Sequence, residues 1–193
     1  MRKIRFVDIG DSWNAGFRDD TRTDGLGWIG HLDPERFEAV ARLSVSGSTA
    51  AQWAADFDGR LTRAVEAARD ADVCFCSLGG NDAFAAQADG KVTFAEITAA
   101  ICNLRSVVAA IRGTGCRVLV MLYAPPYAGD GPMRLACAAL NAMIVAATAG
   151  QVNAGDYICA ENAFHLKQGM MVGIHPSEDG YENLARYVER SFF

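Results

Sequence analysis

A chain of 193 residues that is 51% hydrophobic and 21% charged has enough apolar material for one core and too much to stay disordered. Its formal net charge of −5 argues against nucleic acid or an anionic membrane surface as the main partner, because both reward a basic face. No uninterrupted apolar run reaches the roughly 20 residues of a bilayer span, so no integral membrane segment is expected.

The first strand pattern covers residues 3–9, rich in Ile, Phe and Val. It is too short for a signal-peptide core and runs straight into Gly10-Asp11-Ser12, so no leader and a cytoplasmic location are expected. Residues 17–34 read as a loop with short helical pieces. A weaker strand pattern follows at 37–45. From 50 to 71, Trp53, Phe57, Leu61, Val65 and Ala68 recur at helical spacing. Residues 73–78 form a third strand pattern. The next helix spans 93–112, with Phe94, Ile97, Ile101, Leu104, Val108 and Ile111 on one face, Thr93 and Glu96 as a capping box, and Gly113 as its stop. A strand at 117–123, an Ala-rich helix at 132–149 and a short strand at 156–159 come next. The last helix starts after Ser177, a good N-cap, with Glu178 and Asp179 in its first turn and a stripe of Tyr181, Leu184, Ala185 and Val188.

This alternation predicts an α/β doubly wound sheet in one domain over residues 1–193, its strands apolar on both faces as in a covered parallel sheet. Sites in such folds form beyond the carboxyl ends of the strands. The six cysteines, Cys74, Cys76, Cys102, Cys116, Cys137 and Cys159, show no Cys-x-x-Cys spacing, so a structural zinc site is not expected. They read as buried free thiols, which suits a reducing compartment. The sequence sets no oligomeric state.

Four polar or Gly-rich elements fall where the sheet would gather them. Gly10-Asp11-Ser12 follows the first strand, Ser46-Gly47-Ser48 the second, and Gly79-Gly80-Asn81-Asp82 the third; Gly173-Ile174-His175-Pro176 precedes the last helix. Each has a purely structural reading. Asp11 and Ser12 cap a helix, the glycines turn the chain, Asn81 satisfies turn amides, and His175 is an exposed helix-leading residue. Of the other histidines, His165 reads as packing or surface and His31 as surface. Trp13 serves equally as pocket wall or core, while Trp28 and Trp53 read as core.

Taken together, the segments resemble the SGNH (GDSL-type) hydrolase superfamily. Gly10-Asp11-Ser12-Trp13-Asn14-Ala15-Gly16 is similar to its first block, Gly47 to its second, Gly79-Gly80-Asn81-Asp82 to its third, and His175 with Pro176-Ser177 to its fifth. The resemblance implies a flavodoxin-like three-layer αβα fold with a five-stranded parallel sheet in the order 2-1-3-4-5. It also implies a serine esterase or acyl hydrolase acting on a small-molecule ester or acetylated substrate, with no cofactor and no metal. Ser12 would be the nucleophile and His175 its general base, since a hydroxyl is a poor nucleophile until an imidazole takes its proton. The oxyanion hole would be the backbone amides of Ser12 and Gly47 and the side-chain amide of Asn81.

One position departs from the pattern. The family's last block is DxxH, and three residues before His175 stands Val172, which can neither accept a hydrogen bond nor balance an imidazolium. A backbone carbonyl or another acid then orients His175; the nearest acids in sequence are Asp156, Glu161, Glu178 and Asp179. The alternative is a weakly active or inactive SGNH-like protein that binds an acylated or carbohydrate ligand. A nucleotide or phosphate binder is a third class, against which stands the lack of GxGxxG and GxxxxGK[ST] after the first strand.

Overall fold

A computed structural model of the chain describes residues 2–18, 21–22, 27–87, 94–125, 131–164 and 169–193. Its centre is a parallel sheet of five strands: β1 (Ile4–Gly10), β2 (Phe37–Arg42), β3 (Val73–Ser77), β4 (Arg117–Leu122) and β5 (Tyr157–Cys159). They lie in the order β2-β1-β3-β4-β5, the 2-1-3-4-5 arrangement expected from the sequence. Every residue of β3 is buried, which explains its apolar run on both faces. Although β2 is shorter than its sequence pattern, the chain stays beside β1, with the Leu43 and Val45 amides donating to the Asp8 and Gly10 carbonyls at 3.0 and 2.9 Å.

Helices cover the sheet. They are α1 (Ser12–Ala15), α2 (Ala50–Ala54), α3 (Arg60–Ala68), α4 (Gly80–Gln87), α5 (Phe94–Arg112), α6 (Gly131–Thr148), α7 (Ala160–Phe164) and α8 (Glu178–Phe192). The continuous helix expected over 50–71 is broken into α2, a 3-10 turn at Phe57–Gly59 and α3. Asp56, Asp58 and Gly59 all take left-handed backbone angles, with φ of 53°, 55° and 68°, which no helix continues through. The Asp56 carboxylate then accepts from the Thr62 amide and hydroxyl at 3.0 and 2.6 Å, restarting the helix, and Phe57 is left exposed rather than in the core. Local turn chemistry overrides the hydrophobic period here. α8 begins at its expected N-cap, where Ser177 Oγ accepts from the Gly180 amide at 3.1 Å. The expected capping threonine of α5, Thr93, and His165 lie outside the described residues.

Residues 17–34 hold short pieces, a pair of two-residue strands (Phe17–Arg18 and Thr21–Arg22) and a 3-10 turn at Trp28–His31. Trp28 and Trp53 are completely buried. The cysteine expectation needs correction: Cys74, Cys76 and Cys116 are buried, but Cys137 and Cys159 are partly exposed and Cys102 is exposed on α5. All six are free thiols. Among the described residues, no helix is long and apolar enough to cross a membrane.

The core contains one polar junction that fixes the first block of the sequence. Asn14 is 1% exposed; its Nδ2 donates to the Ile9 and Phe75 carbonyls at 3.1 and 3.2 Å, and its Oδ1 accepts from Trp28 Nε1 at 2.7 Å. It thus joins β1, β3 and the 3-10 turn. Replacing Asn14 with Ala strands three buried partners, each worth about 1–3 kcal/mol when left unsatisfied. Chemical denaturation of Asn14→Ala is expected to show a loss of at least about 2 kcal/mol, and an unchanged midpoint would contradict this account.

Candidate active site

β1 ends where only glycine fits. Gly10 has φ 147°, and a Cβ there would lie 2.2 Å from Ser77 Oγ. This close approach brings the carboxyl ends of β1 and β3 together, and the Asp11 amide donates to the Ser77 carbonyl at 2.9 Å. Asp11 then caps α1, its Oδ1 accepting from the Trp13 amide at 3.0 Å. Ser12 opens that helix. The structural reading of Asp11 as a helix cap therefore holds, and the cap sets the position of Ser12.

Ser12 Oγ lies 2.8 Å from His175 Nε2. The histidine arrives on a hairpin of two short strands, β6 (Met171–Val172) and β7 (His175–Pro176). α8 holds the base of this hairpin: the Ser177 amide donates to the Met170 carbonyl at 2.9 Å, and a Cβ on Gly180 would lie 2.2 Å from that same oxygen. The fully buried Tyr181 donates its hydroxyl to the Ser12 carbonyl at 3.3 Å. One helix thus steadies both sides of the Ser12–His175 contact.

Behind Ser12 lies a buried carboxylate. Asp11 is 2% exposed and accepts from Ser77 Oγ at 3.0 Å and from the Tyr123 hydroxyl at 2.7 Å. Burial pushes its carboxyl up to about 6, against the pull of these donors. Tyr123, at the end of β4, also accepts from the Gly80 amide at 3.3 Å, and burial beside Asp11 raises its phenol well above the ordinary value.

Asn81 sits in the first turn of α4, its Nδ2 donating to the Ser48 carbonyl at 3.0 Å. The Ser48 hydroxyl donates to the Gly10 carbonyl at 2.7 Å and accepts from Trp53 Nε1 at 3.1 Å. Asp82 fixes the same junction by accepting from the Ala50 and Ala51 amides at 2.8 and 3.2 Å. Gly47 lies beside this network in a turn with φ 79° and no protein atom within 4 Å of a Cβ built there. Its glycine is required by backbone conformation rather than by crowding within the chain.

A cavity of about 250 Å³ opens in front of these groups. Ser12, Asn81 and His175 line it, as do Trp13 and Tyr123; Gly47 does not. Trp13 is therefore both pocket wall and core, 4% exposed and edge-on to Tyr123 at 5.1 Å. The far wall is α6.

Val172, opposite His175 in the hairpin, is 54% exposed. Asp156 is bound to Arg117 at 2.7 Å and to Asn153 at 2.8 Å, Glu161 lies 3.3 Å from Arg134, and Glu178 lies 3.5 Å from Nε2 of the half-buried His31. Among the described residues, no group of three or more His, Cys, Asp or Glu side chains is placed to hold a metal ion. Ser77 and Tyr123 were not singled out by sequence reasoning, although both are polar residues at strand ends; Ser48 was read as part of the Ser46-Gly47-Ser48 element and Tyr181 as part of the apolar stripe of the last helix, and neither was given its contact here.

The fold is therefore an αβα sheet of order 2-1-3-4-5 that brings a serine past the end of its first strand to a histidine just before α8. The chain belongs to the GDSL-like Lipase/Acylhydrolase family, whose model matches residues 9–182, and is a carboxylic ester hydrolase. Comparison with curated proteins gave no match. Among solved structures, it resembles Axe2, an acetylxylan esterase from Geobacillus stearothermophilus, at 19% identity and a TM-score of 0.67 over 98% of this chain and 94% of that one. LAE5, an alpha/beta hydrolase enzyme from the metagenome of Lake Arreo, Spain, matches at 19% identity and a TM-score of 0.68 over 97% and 94%. Catalytic mutants of Axe2 include alanine replacements of a serine, an aspartate and a histidine. At these identities the likeness is one of fold.

The raised Asp11 carboxyl has a definite pH signature. Its folded value near 6 exceeds the ordinary 3.8, so the folded chain binds this proton more tightly than the unfolded chain does. The penalty for the buried charge is full above pH 6 and is relieved as pH falls toward 4. Relative to Asp11→Asn, which cannot titrate, the parent protein is expected to gain about 2.4 kcal/mol between pH 7 and pH 4, at about 1.4 kcal/mol per pKa unit. Paired denaturation curves across this range check it; parallel curves would refute it.

Proposed function

We propose that this protein hydrolyses a small ester through a serine acyl-enzyme, with Ser12 as nucleophile and His175 as general base. The observation that carries the reading is the 2.8 Å contact between Ser12 Oγ and His175 Nε2, two groups 163 positions apart in the chain. A hydroxyl and an imidazole at that distance, opening on a cavity, meet the geometric requirement for proton transfer during attack.

His175 takes the Ser12 proton as Oγ bonds to the ester carbonyl carbon, and the carbonyl oxygen becomes an oxyanion. The Ser12 and Gly47 amides and the Asn81 side chain stabilise it. Asn81 suits this task because one amide hydrogen is held by the Ser48 carbonyl, which fixes the plane from which the second donates. Collapse releases the alcohol with the proton from His175. Water, deprotonated by the same imidazole, then attacks the acyl-enzyme carbonyl, releasing the acid and returning the proton to Ser12.

Val172 favours a second reading, a feeble catalyst that mainly binds an acylated or carbohydrate ligand. Removing the orienting acid of a serine protease triad lowers turnover by about 10⁴-fold, and valine supplies no substitute. Turnover of a short p-nitrophenyl ester at rates ordinary for an esterase would exclude that reading.

The catalytic reading is tested directly. A fluorophosphonate probe is expected to label Ser12, and Ser12→Ala to lose about 10⁴-fold or more in kcat. Asn81→Ala is expected to lose about 10²–10³ in kcat with a much smaller change in KM. Labelling elsewhere, or full activity in Ser12→Ala, would overturn the assignment.

A further inference from the structure

The wall of the cavity opposite the sheet is a face of α6. Met133, Ala136, Leu140 and Met143 line it, spaced so that one helical face presents them all. Ala83 and Ala124 continue the apolar surface. At the rim stand Met133 and Ile174, 45% and 39% exposed, one on α6 and one on the histidine hairpin.

Outside the Ser12, Asn81 and His175 cluster, the Asp11, Tyr123 and Cys137 side chains of the lining are already engaged. Asp11 holds Trp13, Ser77 and Tyr123; Tyr123 holds Asp11 and Gly80. Cys137 donates its thiol to the Tyr123 carbonyl at 3.3 Å, and burial pushes that thiol up to about 11, so it is protonated at neutral pH and behaves as a small apolar group. Among the described residues, no Lys, Arg, Glu or Gln side chain lines the cavity. Recognition of a sugar ring needs several polar groups facing the ligand, and among the described residues the α6 wall, with Met133, Ala136, Cys137, Ala139, Leu140 and Met143, offers only the engaged Cys137 thiol. The rest of it is hydrocarbon.

Resting on the Ser12–His175 reading, we infer that the α6 face is an acyl-chain site, and that the preferred substrates are esters of straight-chain acids of medium length rather than acetyl esters. An apolar cavity of about 150 Å³ holds a benzene molecule, so about 250 Å³ accommodates roughly ten heavy atoms on the same scale, whereas an acetyl ester places a single methyl there. Acids of about four to eight carbons match that space. The acyl half is assigned to α6 because the alcohol must leave with the proton from His175. That residue sits on a hairpin whose neighbouring Val172 and Ile174 are exposed, so the alcohol side faces solvent. Each methylene that enters such a wall contributes about 0.8 kcal/mol, or about fourfold in kcat/KM.

The test is a pair of ester series. One varies the acyl group from acetyl to dodecanoyl on a constant p-nitrophenol; the other keeps acetyl and lengthens the alcohol. The expected result is a kcat/KM optimum between butanoyl and octanoyl, at least about tenfold above acetyl, with a fall at dodecanoyl and little dependence on alcohol length. Ala136→Trp fills the proposed site from an exposed helix position and is expected to lower the hexanoyl-to-acetyl ratio by about tenfold or more. Ala139→Trp, also exposed and lining the cavity, is the second variant should the first fail to fold. An acetyl optimum, a preference that follows the alcohol, or an unchanged ratio in a folded variant overturns the acyl-site inference and leaves the Ser12 mechanism standing. Absence of turnover on every ester together with an unlabelled Ser12 overturns both.

Discussion

Three strand ends meet at one carboxylate. Asp11 lies past the end of β1, Ser77 ends β3 and Tyr123 follows β4, and all three side chains hydrogen-bond to one another through the Asp11 oxygens. Burying this charge is costly, which is why its carboxyl is raised toward 6. The cost is offset only because each donor comes from a different element at fixed distance. The same group caps α1 and so sets the position of Ser12, while Tyr123 reaches on to the start of α4 and its Asn81. If the strand ends spread, Asp11 loses partners, α1 loses its cap, and the serine and the amide donor shift together.

The remaining parts attach to this knot by short chains of hydrogen bonds. Ser48 links the end of β1 to Asn81 and Trp53, so the loop carrying Gly47 is fixed by the element it serves. Asn14, one turn into the same block, ties β1 to β3 from the core side. Five of the seven residues 10–16 thus have a distinct physical reason: glycine for approach, aspartate for capping, serine for its hydroxyl, tryptophan for the wall and asparagine for the junction.

Much of this was legible in the sequence, for reasons that differ by element. The strands read clearly because a covered parallel sheet demands unbroken apolar runs, and α8 read clearly because Ser177 and its acidic first turn are strong local signals. Ser12, Asn81 and His175 each had a structural reading alone, and stood out only because their segments together resemble the blocks of one family. The helix over 50–71 was misread, since Asp56-Phe57-Asp58-Gly59 adopts left-handed geometry that a hydrophobic period does not register. Tyr123 was missed because its role lies in the direction of one hydroxyl among strands far apart in sequence. The apolar face of α6 looked like ordinary core pattern; that it fronts a cavity is a property of packing, which composition does not encode.

The order of these parts along the chain has a temporal consequence. Ser12 is synthesised 163 residues before His175. An unactivated serine hydroxyl is a poor nucleophile toward esters, and the hairpin that brings the imidazole is held against α8 through Met170, Ser177 and Gly180. A growing chain that has not yet reached the hairpin therefore carries the proposed nucleophile without its proposed base. Reactivity under the proposed mechanism is switched on when the hairpin docks with α8, and a nascent chain does not present a competent hydrolase to its surroundings before that.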